Sequence, residues 1–146
     1  MSKFNFKSRP CTNAKQGTRL NVLNISEDTA DLALVPMMFY DDASGQEYFT
    51  GEYSIRELRE VRKFGITYIP AWSIARLREM IPENIHIEGV GQVYRVLYNG
   101  FLCYEYDDRT YAKFNDYDAF DQYISCIEWL INGGYFDTNY MKEKTT

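Results

Sequence analysis

The chain contains one histidine, His86, and three cysteines, Cys11, Cys103 and Cys126. A Ser-His-Asp or Cys-His relay, or a histidine-based metal site, would have to be built around that single imidazole. His86 lies between Ile85 and Ile87 in an alternating run, which predicts a short strand with the ring toward solvent or the sheet edge. Cys103 falls mid-strand and Cys126 on the apolar side of a helix, where a thiol behaves as a small hydrophobe. Cys11 follows Pro10 in a polar segment where it could be exposed, with no base near it in sequence. An odd number of cysteines without C-x-x-C spacing predicts free thiols in a reducing, cytoplasmic compartment.

Carboxylates cluster at Asp41-Asp42, Asp107-Asp108 and Asp116-x-Asp118. Each cluster coincides with a turn or a helix cap, which accounts for acidic residues without a metal. No twelve-residue calcium loop ends in glutamate. Gly89-Val90-Gly91 lacks the lysine and the following helix of a phosphate loop. Carboxylate pairs of the glycosidase type rarely fit a domain this small. These residues therefore predict no catalytic group, no metal and no cofactor.

The elements that would position these residues are clearest in the second half. Ile74, Leu77 and Ile81 form the inner stripe of a helix that Pro70 should open and Pro82 end. A strand at 85–88 follows. Val93 to Tyr98 and Phe101 to Tyr106 flank Asn99-Gly100, the favoured type I′ pair. The two-residue loop sets Tyr98 opposite Phe101, Leu97 opposite Leu102, Val96 opposite Cys103 and Arg95 opposite Tyr104. Both faces of this hairpin carry apolar or aromatic residues. Thr110 to Phe114 makes another strand, Asn115 or Asp116 caps a last helix, and Gly133-Gly134 stops it. The order is α-β-β-β-β-α over residues 66–136. Short connections predict an α+β fold, an antiparallel β-meander with helices packed on one face.

The first half is less legible. Residues 1–19 are basic and aperiodic, which predicts a loosely ordered arm. Residues 20–25 read as a short strand, Ser26-Glu27-Asp28 as a helix start limited by Pro36, and 37–40 with 47–49 as a hairpin. Ser54-Ile55-Arg56-Glu57 has the spacing of a capping box, predicting a helix over 54–64 with Arg56, Arg59 and Arg62 on its outer side. Residues 137–146 read as a frayed tail.

With 146 residues, 45% apolar and 25% charged, the chain suits one domain with one core. The start Met1 to Phe6 lacks the apolar run of a signal peptide, and no stretch approaches the length of a membrane helix. A net charge of -5 argues against general nucleic-acid binding. Thirteen tyrosines exceed what a core of this size absorbs, so some should lie on an interaction face. Residues 54–80 hold six Lys/Arg against three Glu, and residues 105–128 two against seven acids, a split that suits docking by charge.

Ile69-Pro70-Ala71-Trp72-Ser73, Leu77, Met80-Ile81-Pro82, the aromatic hairpin, Ala119, Ile127-Glu128-Trp129-Leu130-Ile131 and Gly134-Tyr135 resemble a group of small proteins encoded by phages and mobile elements of Bacteroidetes-type bacteria. The resemblance implies a setting, a phage or mobile-element accessory gene, and a compact helix-sheet-helix module. It assigns no residue a role. The leading expectation is a non-enzymatic protein that binds another protein, with inhibition of a host defence system such as CRISPR as one form. Its contact residues would be Tyr94, Tyr98 and Phe101, then Arg56, Arg59 and Arg62. One alternative is a nucleic-acid contact through the basic arm and the arginine-bearing helix. Another is a structural homodimer joined through the hairpin face.

Overall fold

Asn13 opens the first helix in a computed structural model that describes residues 9–143. Its side chain accepts from the Gln16 amide at 2.8 Å, and the Gln16 side chain accepts from the Asn13 amide at 2.9 Å. This reciprocal cap starts α1 (Ala14–Val22) where a loose arm and then a strand were expected. The helix persists because it buries Gln16, Gly17 and Leu20. A Cβ on Gly17 would sit 3.1 Å from the Pro70 carbonyl oxygen, so glycine permits α1 to approach the backbone it packs on. The part of the expected arm before Arg9 lies outside the described residues.

Ser26 caps only a single 3-10 turn, Glu27–Thr29. The chain then extends as β1 (Leu32–Asp41) and returns as β2 (Gln46–Glu57). The hairpin expected around residues 41–46 is present and much longer than expected. β2 absorbs Ser54 and Glu57, so the capping box does not form. Its residues pair instead with β1, Ser54 opposite Val35 and Glu57 opposite Leu32. Ladder pairing there outweighs a local cap. α2 (Leu58–Lys63) begins afterwards, with the Leu58 amide donating to the Asp31 carbonyl at 3.2 Å.

Pro70 likewise lies in a strand rather than a helix. β3 (Ile69–Ala71) pairs with Leu32–Leu34 of β1, giving a three-stranded sheet of order β2-β1-β3. α3 (Ile74–Met80) starts after Ser73, whose hydroxyl accepts from the Arg76 amide at 3.1 Å.

From α3 onward the expected order is present. β4 (Asn84–Ile87), β5 (Gly91–Tyr98), β6 (Phe101–Tyr106) and β7 (Arg109–Phe114) form a sequential antiparallel sheet. All four cross-strand pairs expected around Asn99-Gly100 are observed. Asn99 and Gly100 both take positive φ, 50° and 81°, as a type I′ turn requires. α4 (Ala119–Gly133) is capped by Asp118 rather than the expected Asn115 or Asp116. Gly134 ends it at φ 77°, with the Tyr135 amide donating to the Leu130 carbonyl at 2.8 Å.

α4 lies across β6 and β7 and touches α1 and α3, so the helices cover one face of the four-stranded sheet. The core draws on Leu20, Val61, Trp72, Leu77, Val93, Leu102, Tyr104, Ile124, Ile127 and Leu130. Of the expected frayed tail, residues 138–142 are tied down, and 144–146 lie outside the described residues. Met141 bridges Ile25, and the Tyr140 carbonyl accepts from the Ser26 amide at 2.9 Å. Among the described residues no helix is long and apolar enough to cross a membrane.

One buried polar side chain locks helix to hairpin. Gln122 of α4, 4% exposed, accepts from the Leu102 amide at 3.0 Å. Its amide nitrogen donates to the Asp116 carbonyl at 2.9 Å and the Gly100 carbonyl at 3.3 Å. Replacing Gln122 by Leu strands these backbone groups and should cost roughly 2–3 kcal/mol in urea denaturation.

Candidate interaction surfaces

Strand parity assigns the hairpin's two faces different fates. Val93, Leu102 and Tyr104 face the helices and are fully buried. The Tyr104 hydroxyl donates to the Pro82 carbonyl at 2.7 Å, which satisfies the one polar atom of that buried ring. The opposite face carries Tyr94, Val96, Tyr98 and Phe101 around the buried Cys103, with no helix against it among the described residues. Tyr94 is 56% exposed and Tyr98 60%. Phe101 is half-buried under the Lys113 ammonium, 4.6 Å from its ring centre. The structure thus brings Tyr94, Tyr98 and Phe101 onto one open face, as register required.

The three candidate arginines do not share one helix face. Arg56 stands on β2 opposite Ala33, while Arg59 and Arg62 belong to α2. Each is met by acid. Arg56 pairs with Glu60 at 3.4 Å and Arg59 with Glu57 at 3.2 Å. Arg62 pairs with Asp28 at 2.8 Å and Glu27 at 3.4 Å, and its Nε donates to the Tyr68 hydroxyl at 3.0 Å. These exposed pairs add little stability, but they reduce the positive field that the sequence count suggests. Arg19 of α1 likewise reaches toward Asp121 and Glu128 of α4, and Arg9 pairs with Asp118. The acidic run at 105–128 is partly neutralised from the N-terminal segment.

A second surface escaped the sequence reading. β3 pairs only with Leu32–Leu34, so from Val35 onward β1 and β2 form a two-stranded ribbon. Nothing in β2 is buried. Phe39 is 59% exposed, Tyr40 56% and Met38 51%, and Met37, Tyr48 and Phe49 are exposed with them. Directly paired residues share a face. One ribbon face therefore presents Pro36, Met38, Tyr40, Phe49, Tyr53 and Ile55. Rings of Phe49 and Tyr53 meet at 5.1 Å across the bulge at Thr50-Gly51-Glu52. At the ribbon's base this face runs into an apolar groove of about 360 Å³ between residues 9–15 and Leu34, Tyr53 and Ile55. The sequence signal was available, since residues 32–40 carry no charge at all.

Most of the carboxylates considered for chemistry serve turns and caps. His86 is exposed on β4. Asp41 accepts from Ala43 and Ser44 in the ribbon turn, and Asp118 accepts from the Phe120 and Asp121 amides. Asp107 and Asp108 both take positive φ in the β6–β7 turn. Among the described residues no three His, Cys, Asp or Glu side chains converge as metal ligands. All three cysteines are free thiols and all are buried, including Cys11, whose place in a polar segment left exposure open. Cys11 packs with Leu34 and Ala71 in a small satellite cluster.

Burial raises the pKa of each thiol and pushes Cys126 up to about 12. Burial likewise raises Tyr104 and Tyr123. The folded state thus keeps protons that an unfolded chain releases above the ordinary thiol value near 9. This contribution is fully present below pH 9 and is lost as pH rises toward 12. Denaturation midpoints should therefore fall as pH rises from 9 toward 12. A thiol reagent at pH 8 should leave all three cysteines unmodified in the native protein and react with all three in denaturant. Comparison with protein-family models, with curated proteins and with solved structures returns no match to this chain.

Proposed function

We propose that this protein acts without catalysis, by binding another protein through the open face of the β4–β7 sheet. The observation that carries this reading is the exposure of Tyr94 and Tyr98 on a sheet face with no helix against it. Large aromatic side chains with polar tips supply contact area at low conformational cost, which is why they dominate binding hot spots. Phe101, held in place by Lys113, extends the same surface. The resemblance of residues 66–136 to phage and mobile-element proteins suggests the setting of an accessory gene, and inhibition of a host defence system such as CRISPR is the form of binding we propose for it.

Affinity capture from host lysate, followed by reconstitution with the purified partner, tests this. Wild type should retain a specific partner, and Tyr94→Ala with Tyr98→Ala should weaken the reconstituted complex about 100-fold or more. Undiminished binding by that double variant would remove the assignment. Both residues are exposed, so near-ultraviolet circular dichroism should show the fold unchanged.

A further inference from the structure

The ribbon poses a separate physical problem. Residues 32–40 form an uncharged strand whose outer edge pairs with no other strand beyond Leu34 among the described residues, beside a β2 that buries nothing. Long apolar edges of this kind invite pairing with another chain unless something covers them. An isolated two-stranded hairpin is also marginal in water, so a cover would stabilise the ribbon itself.

The two ends of the ribbon are complementary to each other. Its distal end presents Met38, Tyr40 and Phe49, flanked by the acids Asp41, Asp42 and Glu47. From residue 32 to 55 there is no Lys or Arg. Its base holds the apolar groove of about 360 Å³, walled by Pro10, Ala14, Leu34, Tyr53 and Ile55. Lys15 stands exposed on the rim of that groove and joins none of the ion pairs among the described residues. Distal end and groove cannot meet within one chain. Six residues of extended strand separate Leu34 from Tyr40, roughly 20 Å at 3.3 Å per residue.

We propose that two copies of this chain associate through their ribbons, each distal end seated in the groove at the base of the other. A two-fold axis satisfies both ends at once, because the surface on each copy is then self-complementary. Met38 and Phe49 of one copy cover Tyr53 and Ile55 of the second, over the floor that buried Leu34 provides. Asp42 and Glu47 come over Lys15. Large side chains offer roughly 150–250 Å² each, so the half-exposed residues of this face and groove present on the order of 600 Å² per copy. Two copies then bury about 1,200 Å², the lower end of what stable interfaces use. This surface belongs to the other sheet from the one that carries Tyr94 and Tyr98.

Light scattering on the purified full chain reads the outcome directly. Wild type should run as a dimer, and Tyr94→Ala with Tyr98→Ala should leave it so. Met38→Glu with Phe49→Glu should give a monomer with an unchanged circular dichroism spectrum, its dimer dissociation constant raised about 100-fold or more. Lys15→Glu should weaken the dimer about tenfold, and adding Asp42→Lys with Glu47→Lys should restore it. A monomeric wild type up to its solubility limit would overturn the proposal. So would a dimer that survives the Met38/Phe49 change, or a charge reversal that the second pair of substitutions fails to rescue. Loss of the dimer in the Tyr94/Tyr98 variant would also overturn it, by placing self-association on the four-stranded sheet.

Discussion

The fold depends on how the segment around Trp72 is stitched to two distant stretches of chain. The Trp72 ring is buried, and its Nε1 donates to the Thr29 hydroxyl at 2.9 Å. The Trp72 amide donates to the Thr12 hydroxyl at 3.1 Å, and its carbonyl accepts from the Thr12 amide at 3.0 Å. One residue further on, Asp31 accepts from the Ser73 amide at 2.9 Å and the Ser73 hydroxyl at 2.5 Å. Arg76 then donates to the Thr29 carbonyl at 2.6 Å. Buried polar groups left without these partners would each cost more than the bonds contribute net, so the junction has one satisfied arrangement. It anchors the entry to α1, the start of β1, β3 and α3 at a single point.

That junction also determines where the ribbon begins. Asp31 and the pairing of Leu32–Leu34 with β3 hold the first residues of β1. Beyond Leu34 the ladder among the described residues continues only with β2, which forms a two-stranded ribbon. The same rigid anchoring gives the ribbon a defined direction, which separates its distal aromatic residues from the groove at its base. The four-stranded sheet is held differently. Gln122 and the apolar stripe of α4 clamp one face from the helix side, and this leaves the Tyr94 face open. Two exposed apolar surfaces thus arise from two different restraints, one on each sheet.

Much of the second half was legible in the sequence because its signals are local. The type I′ turn at Asn99-Gly100, the left-handed stop at Gly134 and the alternation at 85–87 each depend on residues within a few positions. The hairpin register followed from loop length alone. The first half misled for a related reason. Ser54-x-x-Glu57 and Pro70 are sound local helix signals, yet both lie in segments that β1 recruits as strands. The Asn13-Gln16 cap was equally local, but the polar, aperiodic composition around it obscured the three buried contacts that make α1 a helix.

The sequence by itself determined the α+β class, the order of the C-terminal module and the hairpin register, because turn chemistry and side-chain period act over short distances. It also determined that any histidine-based arrangement would have to be built around His86 alone. Only the tertiary structure decided which aromatic residues are covered, that Arg56, Arg59 and Arg62 are matched by carboxylates, and that β1 outruns its second neighbour to leave a free ribbon. Those outcomes depend on partners far away in the chain, such as Asp31 with Ser73 and Leu34 with Ile69. Burial and pairing are set by what packs against a residue, and no local pattern encodes that.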